Sequence, residues 1–406
     1  MTSSWLEVAD DDPYSVENLP YGSGQLPSGQ TVALARAGTQ ALDLTAAFGH
    51  LPAEDEHAGL FADGTLATLL AAGPRVWSEV RGRVTGWLST SAASDDRAWL
   101  QPLIVPLEQV RLGLPFTVAD YVDFYASEHH ATNVGRILRP DSAPLTANWK
   151  HLPIGYHGRS GTIVVSGTEV IRPRGQFHTA DGVTFGPTRR LDIEAEVGFV
   201  VGVGSVPGHP VPAAAFRSHV FGVVLINDWS ARDLQAWESL PLGPFLGKSF
   251  ATSAAAWVTP MAALERAWTR PPQQDPKPLP YLHDEAGRTG LDLALEVRLN
   301  GELVSSPPFA QMYWTPPQMM AHMTINGAHL RSGDLFASGT VSGPARDQRG
   351  SLLELSWGGA EPLHLADGTE RSFLTDGDVV TISGSFAGPH CRLALGEVTG
   401  RVVQAR

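Results

Sequence analysis

The clearest pattern along the chain is an alternation of period two. Leu291, Leu293, Leu295, Val297 and Leu299 occupy every second position of one run, which predicts a strand with one buried face. Short apolar runs at Thr31–Ala35, Thr162–Val165, Ile193–Val201, Val220–Ile226 and Val379–Ile382 predict further strands, and Leu103–Leu114 has the same character. Helical spacing is clearest after Pro74, where Val76, Val80, Val84, Trp87 and Leu88 recur. Proline suits the first turn of a helix because its missing N–H would be unpaired there anyway. Glycine and proline (42 and 31 residues) are scattered rather than clustered, so they predict turns between short strands. The strands do not alternate with long helices, which argues against a doubly wound parallel sheet. The expectation is a mainly β chain with some α, arranged as a mixed β-roll or distorted barrel.

A length of 406 residues suggests two domains. Pro115 marks a boundary between a small supporting domain over 1–115 and a chemistry-bearing domain over 116–406. The stretch 270–290, rich in Pro, Asp and Gly, reads as a long surface connection. The formal charge of −13 argues against nucleic acid and anionic membranes as partners, so any acidic substrate requires a local cluster of cations. A single cysteine, Cys391, excludes an internal disulfide and a thiolate metal cage. Met1 to Pro13 is acidic and does not read as a secretory signal, and no run of about 18 apolar residues is present. A cytoplasmic protein is expected.

Three nucleotide or nucleophile motifs fail on spacing. Gly243-Pro244-Phe245-Leu246-Gly247-Lys248-Ser249 has three residues between its glycines where a phosphate-binding loop needs four. Gly202-Val203-Gly204 is followed by Pro207 where the dinucleotide fingerprint needs glycine, and Gly247-Lys248-Ser249-Phe250-Ala251 ends on alanine where a nucleophile elbow needs glycine.

Carboxylates offer more. Glu194 and Glu196 fall on one face of a predicted strand, with Asp192 aligned beside them and the two Glu alpha carbons about 6.8 Å apart. Asp228 ends the apolar run Val223-Val224-Leu225-Ile226. Carboxylates without thiolates favour a hard cation, Mg²⁺ and/or Ca²⁺. None of the 14 histidines has the paired helical spacing of a zinc protease. A second cluster holds Asp123, Tyr125, His129 and His130, and adjacent histidines point in different directions, so at most one of them acts. Arg232, Gln235 and Lys248 follow Asp228 closely and suit the stabilisation of an anionic intermediate. Each of these features alone also fits a solvated surface.

Taken together, several stretches resemble the fumarylacetoacetate hydrolase family. They include Asp120-Tyr121-Val122-Asp123-Phe124-Tyr125, His130-Ala131-Thr132-Asn133-Val134-Gly135 and His151-Leu152-Pro153-Ile154-Gly155-Tyr156-His157-Gly158-Arg159. The most specific are Asn227-Asp228-Trp229-Ser230-Ala231-Arg232-Asp233 and the stretch from Pro241 to Ser249. Asn18-Leu19-Pro20-Tyr21-Gly22, Asp275 to Tyr281 and Ser338 to Gly343 extend the resemblance over nearly the whole chain. For the fold it implies a small SH3-like N-terminal barrel followed by a mixed β-roll catalytic domain, in a homodimer. For the site it implies metal ligands at Asp123, Glu194, Glu196 and Asp228, with Lys248 and Thr252 at further Mg²⁺-associated positions. The general base falls on His130, oriented by Glu354, and the oxyanion-stabilising positions on Arg232, Gln235 and Lys248. Tyr125, Arg139, Tyr156, Gln235 and Thr340 match substrate contacts. Ser239 departs from the family, which usually has a tyrosine there, and this bears on one contact to a substrate carboxylate.

The reaction implied is hydrolysis of the carbon–carbon bond of 4-fumarylacetoacetate, a small diketo-diacid, to fumarate and acetoacetate, the last step of tyrosine and phenylalanine degradation. Two alternatives stand beside it. One is another enzyme on the same scaffold, such as an acylpyruvate hydrolase or a decarboxylase or isomerase of keto-diacids. The other is a non-catalytic, Ca²⁺-stabilised β-domain, which leaves the histidine and the cations without a role.

Overall fold

The computed structural model describes residues 3–9, 11–283 and 287–406. The fold is mainly β with some helices, built around two sheets. The long alternating run forms the strand Leu293–Leu299, preceded by a short strand Gly290–Leu291. Leu293, Leu295, Val297 and Leu299 are all buried, as a one-faced strand requires. This strand pairs with Val379–Ala387, which carries on to Val398–Val403 and Val170–Ile171, while Glu302–Ser305 closes the other edge. Val379–Ala387 runs well past the Val379–Ile382 expected from its apolar residues. Its second half, Ser383 to Ala387, is mostly small and polar, and cross-strand hydrogen bonding to Leu293–Glu296 keeps it extended.

The larger sheet positions the site. Its central order is Trp257–Pro260, Val220–Asp228, Ala195–Val201, Leu335–Ala337, Tyr121–Phe124 and Gly155–His157. Neighbours are antiparallel except for Leu335–Ala337 against Tyr121–Phe124. Ala195–Val201 and Val220–Asp228 are buried along their entire lengths. Both faces are covered, which explains why they read as continuous apolar runs rather than alternating ones.

The N-terminal strands Tyr21–Gln25, Thr31–Ala37, Gln40–Asp43 and Ile104–Pro106 extend this same sheet, because Tyr21 and Gly22 pair with Val258 and Trp257. Arg111–Gly113 pairs with Tyr21–Gln25 as well. Among the described residues these pairings form an open run with no closed ring. The helix predicted after Pro74 is present within Ala67–Leu88. Gly73 interrupts that segment at φ 86°, a conformation that suits a residue without Cβ, so Pro74 does open a helical turn. Val80, Val84 and Leu88 are its buried face.

One core of buried side chains runs through both sheets and the N-terminal segment. Of the stretch 270–290, a short turn of 3-10 helix at Pro280–Leu282 is the regular element before residues 284–286, which lie outside the described residues, as do 1, 2 and 10. Among the described residues no helix is long and apolar enough to cross a membrane.

Candidate active site and metal centre

Four carboxylates converge at the middle of the large sheet. Asp123 comes from Tyr121–Phe124, Glu196 from Ala195–Val201, and Asp228 from the end of Val220–Asp228. Glu194 lies just before its strand. The alternation expected across 192–197 breaks at Ile193–Glu194, where the Glu194 N–H donates to the Asn227 side chain (3.2 Å). Asp192 turns away from the cluster. It accepts from Arg232 and from the backbone N–H groups of Leu352 and Leu353. One oxygen each of Asp123, Glu194, Glu196 and Asp228 lies within 4.8 Å of the others, and all four residues are buried.

The electrostatics of this group are unbalanced. Lys248 donates to Glu194 and, at 2.6 Å, to Asp228 Oδ2. Asp228 also accepts from Thr252 (3.1 Å) and Tyr156 (3.2 Å). Burial alone would raise the Glu194 carboxyl, but Arg232, Lys248 and His130 outweigh it and hold Glu194 below the usual carboxylate range. For Asp123 and Glu196 the compensation, chiefly from Lys248, does not suffice. Asp123 Oδ1 and both Glu196 carboxylate oxygens are buried without a hydrogen-bond partner. Burial, followed by the neighbouring carboxylates, pushes both groups well above their ordinary values. Three buried acceptor atoms left bare carry a large desolvation cost. A cation set among oxygens relieves it, and an all-oxygen donor set fits a hard one. The residues therefore fit a metal ion.

Beside the carboxylates stands a histidine–glutamate pair. The helix Glu128–Leu138 begins at Ser127, whose hydroxyl accepts from the His130 N–H. His130 and Asn133, three residues apart, share one face of it. Both reach Glu354: His130 Nδ1 lies 2.6 Å from Oε2 and Asn133 Nδ2 lies 2.9 Å from Oε1. The Ser342 and Ser351 hydroxyls complete the shell, each 2.9 Å from Oε2. Burial raises the Glu354 carboxyl, but His130 and the hydrogen bonds from His130, Asn133 and Ser351 prevail and hold it below the usual range. A charged Glu354 fixes a proton on Nδ1 and leaves Nε2 as the basic nitrogen. That Nε2 faces Glu194 Oε1 at 3.5 Å. His129, the neighbouring residue, is half-buried and does not line the cavity.

Arg232 opens the helix Arg232–Glu238. It donates through Nε to Asp192 and through Nη2 to Glu194, both at 2.8 Å, and through Nη1 to Gln235 Oε1 at 3.1 Å. Gln235 thereby presents its amide N–H groups as donors. Gly247 packs so tightly on Gln235 that an added Cβ would lie 2.7 Å from its backbone nitrogen. This close approach brings Lys248 against the carboxylates and accounts for the glycine–lysine pair that resembled a phosphate loop. Gly339 does the same for Thr340. It sits at φ 74°, and a Cβ there would meet the Phe124 carbonyl at 2.1 Å.

Asp123, Tyr125, His130, Arg139, Tyr156, Glu194, Glu196, Arg232, Gln235, Lys248 and Thr340 all line one cavity of about 1120 Å³. Of the residues singled out from sequence, Asp228, Thr252 and Glu354 lie behind its wall: Asp228 and Glu354 hold the lining residues Lys248 and His130, and Thr252 holds Asp228. Thr340 Oγ1 is buried without a partner, and Arg139 sits exposed at the rim, donating to Pro144 O at 3.1 Å. Asn133, Ser342, Ser351 and Asp192 complete the arrangement without having been given roles from sequence. The three-residue step from His130 was the available sign for Asn133. Ser351 caps the short helix Leu352–Leu355 three residues before Glu354, a spacing that marks it locally, whereas Ser342 lies in a loop with no local sign.

Comparison with known proteins covers the whole chain. Residues 17–115 match the family model for fumarylacetoacetase, N-terminal, and residues 120–403 that for fumarylacetoacetate (FAA) hydrolase, C-terminal. Fumarylacetoacetase of Homo sapiens is 43% identical over 417 residues, covering 99% of both chains. That of Arabidopsis thaliana is 41% identical, again over 99% of each. Among solved structures, a fumarylacetoacetate hydrolase from psychrophilic Exiguobacterium antarcticum superposes with a TM-score of 0.55 at 18% identity, covering 96% of this chain and 100% of its own. Maleylpyruvate hydrolase from Sphingobium superposes at 0.52 and 17%, covering 94% and 99%. At these identities the structural likeness speaks to the fold.

Proposed function

Since the chain belongs to the fumarylacetoacetate hydrolase family, we propose that it hydrolyses 4-fumarylacetoacetate to fumarate and acetoacetate, in a metal-dependent reaction at the cavity described above. The observation that carries this reading is the juxtaposition of the Glu354–His130 pair with four buried carboxylates, two of which keep oxygens without a partner. Asp123, Glu194, Glu196 and Asp228 would hold a hard cation, Mg²⁺ or Ca²⁺, with Lys248 and Thr252 bordering it and setting the Asp228 carboxylate. When bound, that cation polarises the diketone and lets the departing carbon leave with enolate character.

The chain's own residues supply the rest. Glu354 holds His130 in the tautomer whose Nε2 accepts a proton from water. The resulting hydroxide adds to the carbonyl of the fumaryl half. Arg232, Gln235 and Lys248 offer N–H donors to the oxygen that gains charge. Tyr125, Tyr156, Arg139 and Thr340 border the space left for the substrate and orient it. The bond between that carbonyl carbon and the methylene then breaks, its electron pair stays with the acetoacetyl half, and a proton from His130 completes acetoacetate.

The supporting framework belongs to the same proposal. Residues 1–115 form a supporting module of SH3-like strands, and 116–406 form the catalytic domain. A small second core, in which Val32, Leu34 and Ala41 pack with Ala256 and Trp257, supports a firm junction between them. A homodimer in the cytoplasm is the expected setting. Release of fumarate and acetoacetate from freshly generated substrate, before and after chelation and Mg²⁺ add-back, tests the reading. No turnover by folded, metal-loaded protein would refute it.

A further inference from the structure

The cavity has two walls of different electrostatic character. On the inner wall both cations are already taken up by carboxylates: Arg232 spans Asp192 and Glu194, and Lys248 spans Glu194 and Asp228, while Asp123 and Glu196 keep oxygens without a partner. On the outer wall stand Arg189 and Arg190, both exposed and both lining the cavity. Among the described residues neither makes an ion pair. Each guanidinium instead lies over an aromatic ring, Arg189 at 5.3 Å from the centre of Phe177 and Arg190 at 5.7 Å from Phe373. In a chain of net charge −13, two adjacent arginines with no guanidinium ion pair at the mouth of a cavity, beside the single carboxylate of Asp233, form a locally positive patch.

Their backbone is pinned. The Asp233 carboxylate accepts from the Thr188 hydroxyl and, at 2.8 Å, from the Arg189 N–H. Leu191 pairs with Ala231, and the Arg232 N–H donates to the Arg190 carbonyl at 2.9 Å. Arg190 is thus held beside Arg232 at the end of this short ladder, and both residues line the same cavity. A guanidinium stacked on a ring is also partly ordered before a ligand arrives, and its planar fork matches a carboxylate.

We propose that Arg189 and Arg190 receive the fumaryl carboxylate of the substrate and select dianionic diketo acids over monoanionic ones. The inference rests on the reaction proposed above. There, the attacked carbonyl lies at His130 and Arg232, and a fumaryl half directed along the wall that Arg190 and Arg232 share would bring its carboxylate to the two arginines. Ser239, on the same rim, spends its hydroxyl on the Gln235 carbonyl of its own helix, so the arginines are the strong donors on this side.

The test compares kcat/KM for fumarylacetoacetate with that for crotonylacetoacetate, in which a methyl group replaces the fumaryl carboxylate. The metal-loaded wild type is measured beside the double variants Arg189→Gln/Arg190→Gln and Arg189→Lys/Arg190→Lys. The Gln pair should lower the dianion-to-monoanion ratio about ten- to a hundredfold, the range for losing charge-assisted hydrogen bonds, through KM rather than kcat. The Lys pair, which keeps charge but loses the fork, should keep part of the preference and remains informative if the Gln pair folds poorly. Added salt should erode the wild-type ratio. An unchanged ratio in both double variants overturns this inference and leaves the reaction standing. A wild type that fails to cleave fumarylacetoacetate overturns both, and the two failures are distinguishable.

Discussion

Replacing Glu354 with glutamine tests the histidine–glutamate pair with little change of shape. The carboxylate is fully buried and takes four hydrogen bonds, from His130, Ser342 and Ser351 at Oε2 and from Asn133 at Oε1. When His130 accepts a proton from water, its positive charge forms roughly 4 Å from the centre of that carboxylate. At an effective dielectric constant near 20 the pair is worth about 4 kcal/mol. A neutral amide in the same place returns about 1 kcal/mol as an ordinary hydrogen bond. The net loss of about 3 kcal/mol corresponds to a fall in kcat of about a hundred- to a thousandfold. Glu354 does not line the cavity, so KM should hardly move. The assay is steady-state release of fumarate by Mg²⁺-loaded enzyme, with thermal denaturation as a check on folding. A folded Glu354→Gln enzyme with near wild-type kcat, or one altered in KM alone, would sink the reasoning.

Three further outcomes are expected. His130→Ala should lower kcat by about a hundred- to ten-thousandfold, the usual range for a general base, while Mg²⁺ binding by calorimetry persists; wild-type turnover would remove the histidine from the chemistry. Chelation should abolish turnover and lower the melting temperature, because a cation at about 100 times its Kd contributes about 2.7 kcal/mol to the folded state, and an unchanged melting curve would argue against the carboxylate site. Asp378 accepts from Arg371, Asn300 and Thr375; burial raises its carboxyl, but these partners prevail and depress it. Its contribution is therefore fully present above the unfolded aspartate value of about 3.9 and disappears as pH falls through the lower folded value. Asp378→Asn should cost about 2 kcal/mol at pH 7, with the gap in urea midpoints narrowing below about pH 4, and a gap constant with pH would contradict this.

Period-two alternation at Leu291–Leu299 and the apolar runs at 193–201 and 220–226 were sufficient to place the main strands, because burial on a pleated surface leaves a direct mark on residue type. The shared face of Glu194 and Glu196 was legible for the same reason, and so was the position of Asp228 at a strand end. Spacing alone also excludes the phosphate loop and the nucleophile elbow.

Other features depended on contacts between distant segments. Ser383 to Ala387 carry little apolar signal and are extended because Leu293–Leu299 pairs with them. The N-terminal strands join the large sheet through Trp257 and Val258, a pairing that no local pattern specifies. Glu354 is 224 residues from His130 and Lys248 is 54 from Glu194; resemblance named these residues, but only folding brought them within bonding distance. Asp192 shared a predicted face with Glu194 and Glu196, yet the break at Ile193 turned it to Arg232 and the amides of Leu352 and Leu353. Local sequence determined which segments extend, coil and turn, because propensity and burial act residue by residue. Tertiary structure decided which carboxylates were left bare and which were paired, because that depends on where cations and donors from remote segments come to rest.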